Sequence, residues 1–322
     1  MSTISTIVIS PNGNRVASGS CDGTIILWDV ADGAMVDAWA PYDGGCGPLS
    51  LAFSPDSQYL VSGARNDRRV ALWDLSEGAS MSRVLKGHTT DSDGIASCVW
   101  SPRGDVIAAA RRRGRGAVVA QLWDANNFRP LHVLQHPAGS DIWLVEFSPN
   151  GCWLLTGCVP NVPGPNSYHL WDIKSGTGRQ LRTPEALAGQ RSPDILGVAA
   201  AFDPGSTRVV LISPTGFVEI LGIEGPEEGS CVVLRADTNL LLGVETRGVA
   251  FSPHGDLVLT VSNRRVHTHA LKLWEAHTGD HLLSLKGHEK EVRLARFSPC
   301  GRYVASASRD RTVRLWRTRD GT

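Results

Sequence analysis

Three groups of residues in this 322-residue chain have the types and spacing for chemistry. In Gly19-Ser20-Cys21-Asp22-Gly23 a thiol stands between glycines, as in a nucleophile elbow. That device needs a strand-to-helix turn above a parallel sheet. Here Asp22-Gly23 follows one short β-branched run and precedes another, which is the signature of a hairpin. The equivalent stretch near the end reads SASRDRT, without the thiol. His267-Thr268-His269 sets two imidazoles on one face of an extended segment, with His277 and His281 nearby. They lack the cysteine or carboxylate neighbours of a zinc site, so no metal is expected. No GxxxxGK[ST] phosphate loop occurs, and no carboxylate recurs at positions that would face a central channel. The chain therefore reads as a non-enzyme without a cofactor.

The third group is arginine. Arg65, Arg68, Arg69, Arg111, Arg112, Arg113, Arg115, Arg264, Arg265, Arg309 and Arg311 crowd into four short segments, where the acids are only Asp67 and Asp310. A guanidinium fork matches carboxylate and phosphate oxygens in pairs. Single-stranded nucleic acid would also need aromatic rings for stacking, and these are missing beside the arginines. Nucleic acid is not the expected ligand.

What must position these residues is a repeat. Pro11, Pro55, Pro102, Pro149, Pro204, Pro253 and Pro299 follow one another at intervals of 44 to 55 residues. Each opens the same phrase, in which a strand precedes Ser-Pro, a Gly-containing turn follows, and two more strands come after. In the first unit Ile4 to Ile9, Arg15 to Ser20, Thr24 to Trp28 and Met35 to Trp39 read as four short strands. A period of this length with four strands per unit is a propeller blade. Six of the ten tryptophans close third strands (Trp28, Trp73, Trp123, Trp171, Trp274 and Trp316) and are expected to pack between blades. The fifth unit has Leu221 there instead, at the same distance from Pro204 as Trp28 is from Pro11.

The chain resembles the WD-repeat family along nearly its whole length. Phe-Ser-Pro at Phe53, Phe147, Phe251 and Phe297 carries the resemblance, with Trp-Asp at Trp28, Trp73, Trp123 and Trp171 and Gly-His at Gly87 and Gly287. It implies an all-β, seven-bladed β-propeller of four-stranded antiparallel blades that serves as a non-catalytic scaffold. The expected blades are 1–40, 47–87, 94–136, 141–183, 195–236, 246–287 and 291–322, within one domain spanning 1–322. Too few residues follow Trp316 for a strand of ordinary length, so the last blade should lack a full outer strand and expose the edge of its third. The resemblance also implies a hydrogen-bonded set of His, Ser or Thr, Asp and Trp in each blade. Only the seventh unit offers all four, as His288, Ser306 (or Ser308, on the same strand face), Asp310 and Trp316.

In such a fold the loops between second and third strands share one face, and the arginine segments are these loops. The expected partners are other proteins that present acidic or phosphorylated segments. The alternative is a regulatory repeat domain derived from a larger nucleotide-binding signalling protein. Acidic and basic residues balance at 32 each, and no apolar run approaches the ~18 residues of a membrane span. The start lacks the basic and apolar regions of a signal peptide. Seven cysteines without a CxxC pair, and no Asn-x-Ser/Thr sequon, fit a cytoplasmic or nuclear protein.

Overall fold

The computed structural model of the chain describes residues 3–42, 48–64, 67, 69–76, 80–85, 94–111, 119–136, 140–160, 167–181, 200–212, 218–234, 244–264 and 269–321. Apart from one 3-10 turn at Gly225–Glu227, all regular structure among these residues is β. Seven antiparallel sheets form, one from each repeat, each built up and down in chain order. They are the blades of the β-propeller class that the repeat predicts. The chain divides into two compact units, Met1–Leu181 with four sheets and Arg182–Thr322 with three.

The Ser-Pro motif makes the first turn of each blade. In blade two the Ser54 hydroxyl accepts the Tyr59 N–H at 2.9 Å while the Ser57 N–H reaches the Ser54 carbonyl. Ser10, Ser148, Ser252 and Ser298 do the same for Arg15, Trp153, Leu257 and Tyr303. The fifth unit has Asp203 in place of serine, and its carboxylate takes both the Thr207 and Arg208 N–H groups at 2.8 Å. Its departure from the motif therefore keeps the motif's function. The turn ends in the left-handed region, where Gly13, Gly104, Gly151, Gly255 and Gly301 sit without strain and Ser57 and Ser206 are held at φ 63° and 61°.

A second regularity was not visible in the sequence. In six blades the first strand slips register against the second near their far ends, as between Ile142 and Leu144. Such bulges sharpen the twist of a sheet and re-aim the residues beside them. Within each unit the cores lie between consecutive sheets. Trp73 packs with Ala17, Ile25 and Leu27 of the sheet before it, and Trp171 with Ala108, Ala120 and Leu122. In the second unit Trp316 packs with Leu259, Leu271 and Leu273.

Six sheets have four strands. The seventh has three among the described residues, ending on Val313–Arg317. Sheets four and six start slightly earlier than expected, at Ser140 and Val244, because their bulged first strands run on past the slip.

Candidate functional site

In five blades the third-strand tryptophan donates its indole N–H to a hydroxyl on the second strand. The pairs are Trp28 to Ser18, Trp73 to Ser62, Trp171 to Thr156, Trp274 to Thr260 and Trp316 to Ser306, all at 2.8 or 2.9 Å. Strand register makes them, since Trp28 faces Val16 and the hydroxyl lies two residues on, on the same side. Blade five has Leu221 and Leu211 at the two positions, so indole and hydroxyl are lost together and neither is left without the other.

What stands on the far side of the hydroxyl differs from blade to blade. In blade seven it is His288, with Nε2 2.7 Å from Ser306 Oγ and Nδ1 2.7 Å from Asp310 Oδ2. A carboxylate only accepts, so Nδ1 carries the hydrogen toward Asp310. Asp310 also accepts from the Glu289 N–H, the Thr312 N–H and the Thr312 hydroxyl. Burial works to raise its pKa, but the hydrogen bonds from Thr312, His288 and the two backbone groups outweigh it and hold the carboxyl well below its ordinary range. The four residues singled out in the sequence are thus one connected chain from indole to carboxylate.

Blade one has only part of this. Its Asp22 is exposed and bonds to Thr24 within its own hairpin. Asp310→Ala is accordingly expected to lower the denaturant midpoint clearly more than Asp22→Ala. Equal losses in the two titrations would contradict this assignment.

In blade two the histidine place is taken by Tyr42, whose hydroxyl lies 2.7 Å from Ser62 Oγ, and burial pushes the phenol pKa up. In blade four it is taken by His136, with Nε2 3.2 Å from Thr156 Oγ1. Its Nδ1 faces the Cys158 sulfur at 3.1 Å instead of a carboxylate. His169 completes this group, its ring 4.8 Å from that of His136. Neither Tyr42 nor the blade-four trio stood out in the sequence, because nothing in their local spacing marks them. One more buried titratable group is Glu219 on the third strand of blade five. Burial pushes its carboxyl up to about 7, and its Oε2 has no hydrogen bond among the described residues.

The arginines fall unevenly. Arg65, Arg68, Arg112, Arg113, Arg115 and Arg265 lie outside the described residues. Arg111 and Arg264 are described only as the last backbone positions of second strands. Arg69 is bound, its Nε 2.9 Å from Asp67 Oδ1 and its Nη2 3.1 Å from the Pro41 carbonyl. In blade seven Arg309 and Arg311 are exposed, and Arg309 has Glu291 at 3.2 Å. Of the histidines first considered, His267 lies outside the described residues and His269 is described in its backbone alone. His277 Nδ1 lies 3.4 Å from Arg208, and His281 is 2.9 Å from Ser284.

At the opposite end of the blades from the arginine loops, the first unit has a groove of about 390 Å³ walled by Tyr59, Trp100, Phe128, Asp56 and Arg103. Tyr59 stacks on Trp100 at 6.1 Å and meets the edge of Phe128 at 6.0 Å, while Arg83 lies 5.2 Å over the Phe128 ring. Rings with a cation above them suit the side chain of a bound segment. The signal in the sequence is small, a Trp-Ser-Pro where four other blades have Phe-Ser-Pro.

Comparison with known proteins gives these features a context. A family model described as WD domain, G-beta repeat matches residues 1–29, 42–74, 79–115, 128–161 and 279–317, more than half of the chain. Nuclear distribution protein PAC1 of Arthroderma benhamiae is 25% identical over 320 residues, covering 98% of this chain and 58% of the relative. The serine-threonine kinase receptor-associated protein of Gallus gallus is 23% identical over 313 residues, covering 97% and 66%. WD repeat-containing protein 90 of Mus musculus is 26% identical over 323 residues, covering 97% and 16%. The chain therefore spans 58% of the length of the fungal relative and a small part of the mouse one.

Proposed function

The chain belongs to the WD-repeat family, and from that premise we propose that it is a non-catalytic protein-interaction scaffold, cytoplasmic or nuclear, whose arginine loops dock acidic or phosphorylated segments. The family is one of interaction scaffolds, and one relative is named for its association with a receptor kinase. The observation that carries the acidic partner is the second-to-third loop of blade seven. Its one acid, Asp310, is turned inward onto His288, with its side chain only 6% exposed. Arg309 and Arg311 on either side remain at the surface, and the inward carboxylate does not neutralise them. The hydrogen-bond chain that holds the blade together thus leaves Arg311 without the charge of Asp310, while Arg309 shares its charge with Glu291 at 3.2 Å. Guanidinium groups so placed bind phosphate or carboxylate oxygens by charge-assisted hydrogen bonds.

The test is a double variant, Arg309→Gln with Arg311→Asn, the asparagine chosen because Arg311 sits at φ 70°. Thermal stability should hardly change, since both side chains are solvated. Capture of phosphorylated or acidic peptides from a mixed library should fall several-fold and lose much of its salt dependence. Unchanged capture would place docking elsewhere. A second reading, a regulatory repeat domain of a larger nucleotide-binding signalling protein, is favoured by the greater length of the relatives. A nucleotide-binding segment in the same reading frame would decide for it.

A further inference from the structure

We propose that His136, Cys158 and His169 form a buried site for one soft monovalent metal ion, Cu(I), in blade four. One ligand atom from each of the three lies within 4.8 Å of the others. All three residues are buried, with exposures of 3%, 0% and 9%. His169 Nδ1 is buried and makes no hydrogen bond among the described residues. Buried ring nitrogens are nearly always paired, so a bare one beside a thiol and a second imidazole marks a missing partner.

The surroundings are those of a ligand set and not of a spare hydrogen-bond chain. In blade seven both nitrogens of His288 are engaged, one by Ser306 and one by Asp310. In blade four the Thr156 hydroxyl engages His136 Nε2, and a sulfur replaces the carboxylate on Nδ1. Thr156 also receives the Trp171 N–H at 2.8 Å and reaches the His169 carbonyl at 3.4 Å. With its own hydrogen on that carbonyl, Thr156 accepts from His136 Nε2, and the Nδ1 lone pair points at Cys158. An imidazole whose second nitrogen donates to an outer group is the usual state of a metal-ligating histidine.

Charge selects the ion. When Cu(I) enters, the Cys158 thiol releases its proton and the S–Cu bond forms. One positive charge leaves as one arrives, so the net charge of the buried pocket is unchanged. Zn2+ would add a charge in a place that burial makes costly, and it would ask for a fourth ligand. Thiolate and imidazole are both donors that copper favours. Ligand atoms around such an ion stand roughly 3.5 Å apart, so modest side-chain shifts would complete the set.

The experiment uses the full chain, reduced and metal-free, with Cys46 and the exposed Cys21, Cys152, Cys231 and Cys300 replaced by serine so that other thiols do not compete. Cu(I) is titrated anaerobically against a colorimetric Cu(I) chelator. One equivalent should be withdrawn from the chelator, with thiolate-to-copper absorption in the ultraviolet. Cys158→Ser and His169→Gln should each weaken the competition at least 100-fold. His169→Gln leaves the Thr156–Trp171 bond in place, so it decides the matter if Cys158→Ser fails to fold, which circular dichroism would reveal. Equal uptake by the parent and folded His169→Gln would overturn the site. Retention of Zn2+ in preference to Cu(I) would overturn the choice of ion.

Discussion

Lowering the pH from 6.5 to 4 is expected to cost the fold about 3 kcal/mol through the His136 ring alone. Burial pushes this histidine down to about 3, and the neighbouring His169 ring pushes the same way. The unfolded chain therefore takes up the proton first, near the ordinary histidine value of about 6.5. Stability is full above that value, falls as pH drops through the window, and levels off once the folded ring also protonates near 3. His169, also lowered by burial, adds a slope of the same sign. Asp310 acts in a different range. Its depressed carboxyl contributes stability above the ordinary carboxylate range and loses it only at still lower pH. His136→Gln removes the titration and keeps a polar head beside Thr156. Denaturant midpoints at pH 6.5 and 4 should show the parent losing far more than the variant. Parallel losses would mean that His136 is not held neutral.

Ser306→Ala should cost about 2–6 kcal/mol. The hydroxyl is 2% exposed and serves two buried partners, the Trp316 N–H at 2.8 Å and His288 Nε2 at 2.7 Å. Removing it strands both, each at about 1–3 kcal/mol. Ser18→Ala is the internal control. Among the described residues that hydroxyl takes the Trp28 indole alone and has no histidine beside it, so about 1 kcal/mol is expected. Chemical denaturation of the two single variants separates the readings. Equal losses would show that His288 adds nothing to the blade beyond the indole bond.

The sequence by itself determined the blades, because everything that makes a blade is local. A serine or aspartate before the first turn needs only the N–H groups four or five residues on. A glycine such as Gly151 needs only its own φ of 69°, and the alternation of a strand needs only its neighbours. The third-strand tryptophans follow from the same spacing. His288, Ser306, Asp310 and Trp316 were legible through the resemblance to the WD-repeat family, which implies such a set.

What only the tertiary structure decided is which of these positions carry chemistry. Cys158 and His169 lie eleven residues apart in sequence, with no ligand spacing to betray them. Antiparallel register sets Thr156 against His169 and Cys158 against Ser167, so Cys158 and His169 become diagonal neighbours on one face. His136 reaches them from the segment before the blade, as Tyr42 reaches Ser62 in blade two. The direction of Asp310 was likewise invisible. In sequence it is an acid between two arginines, and only the inward turn onto His288 leaves those arginines without its charge. Short-range patterns fix the backbone because backbone hydrogen bonds close over a few residues. Side chains meet according to strand register and burial, and those are properties of the assembled sheets.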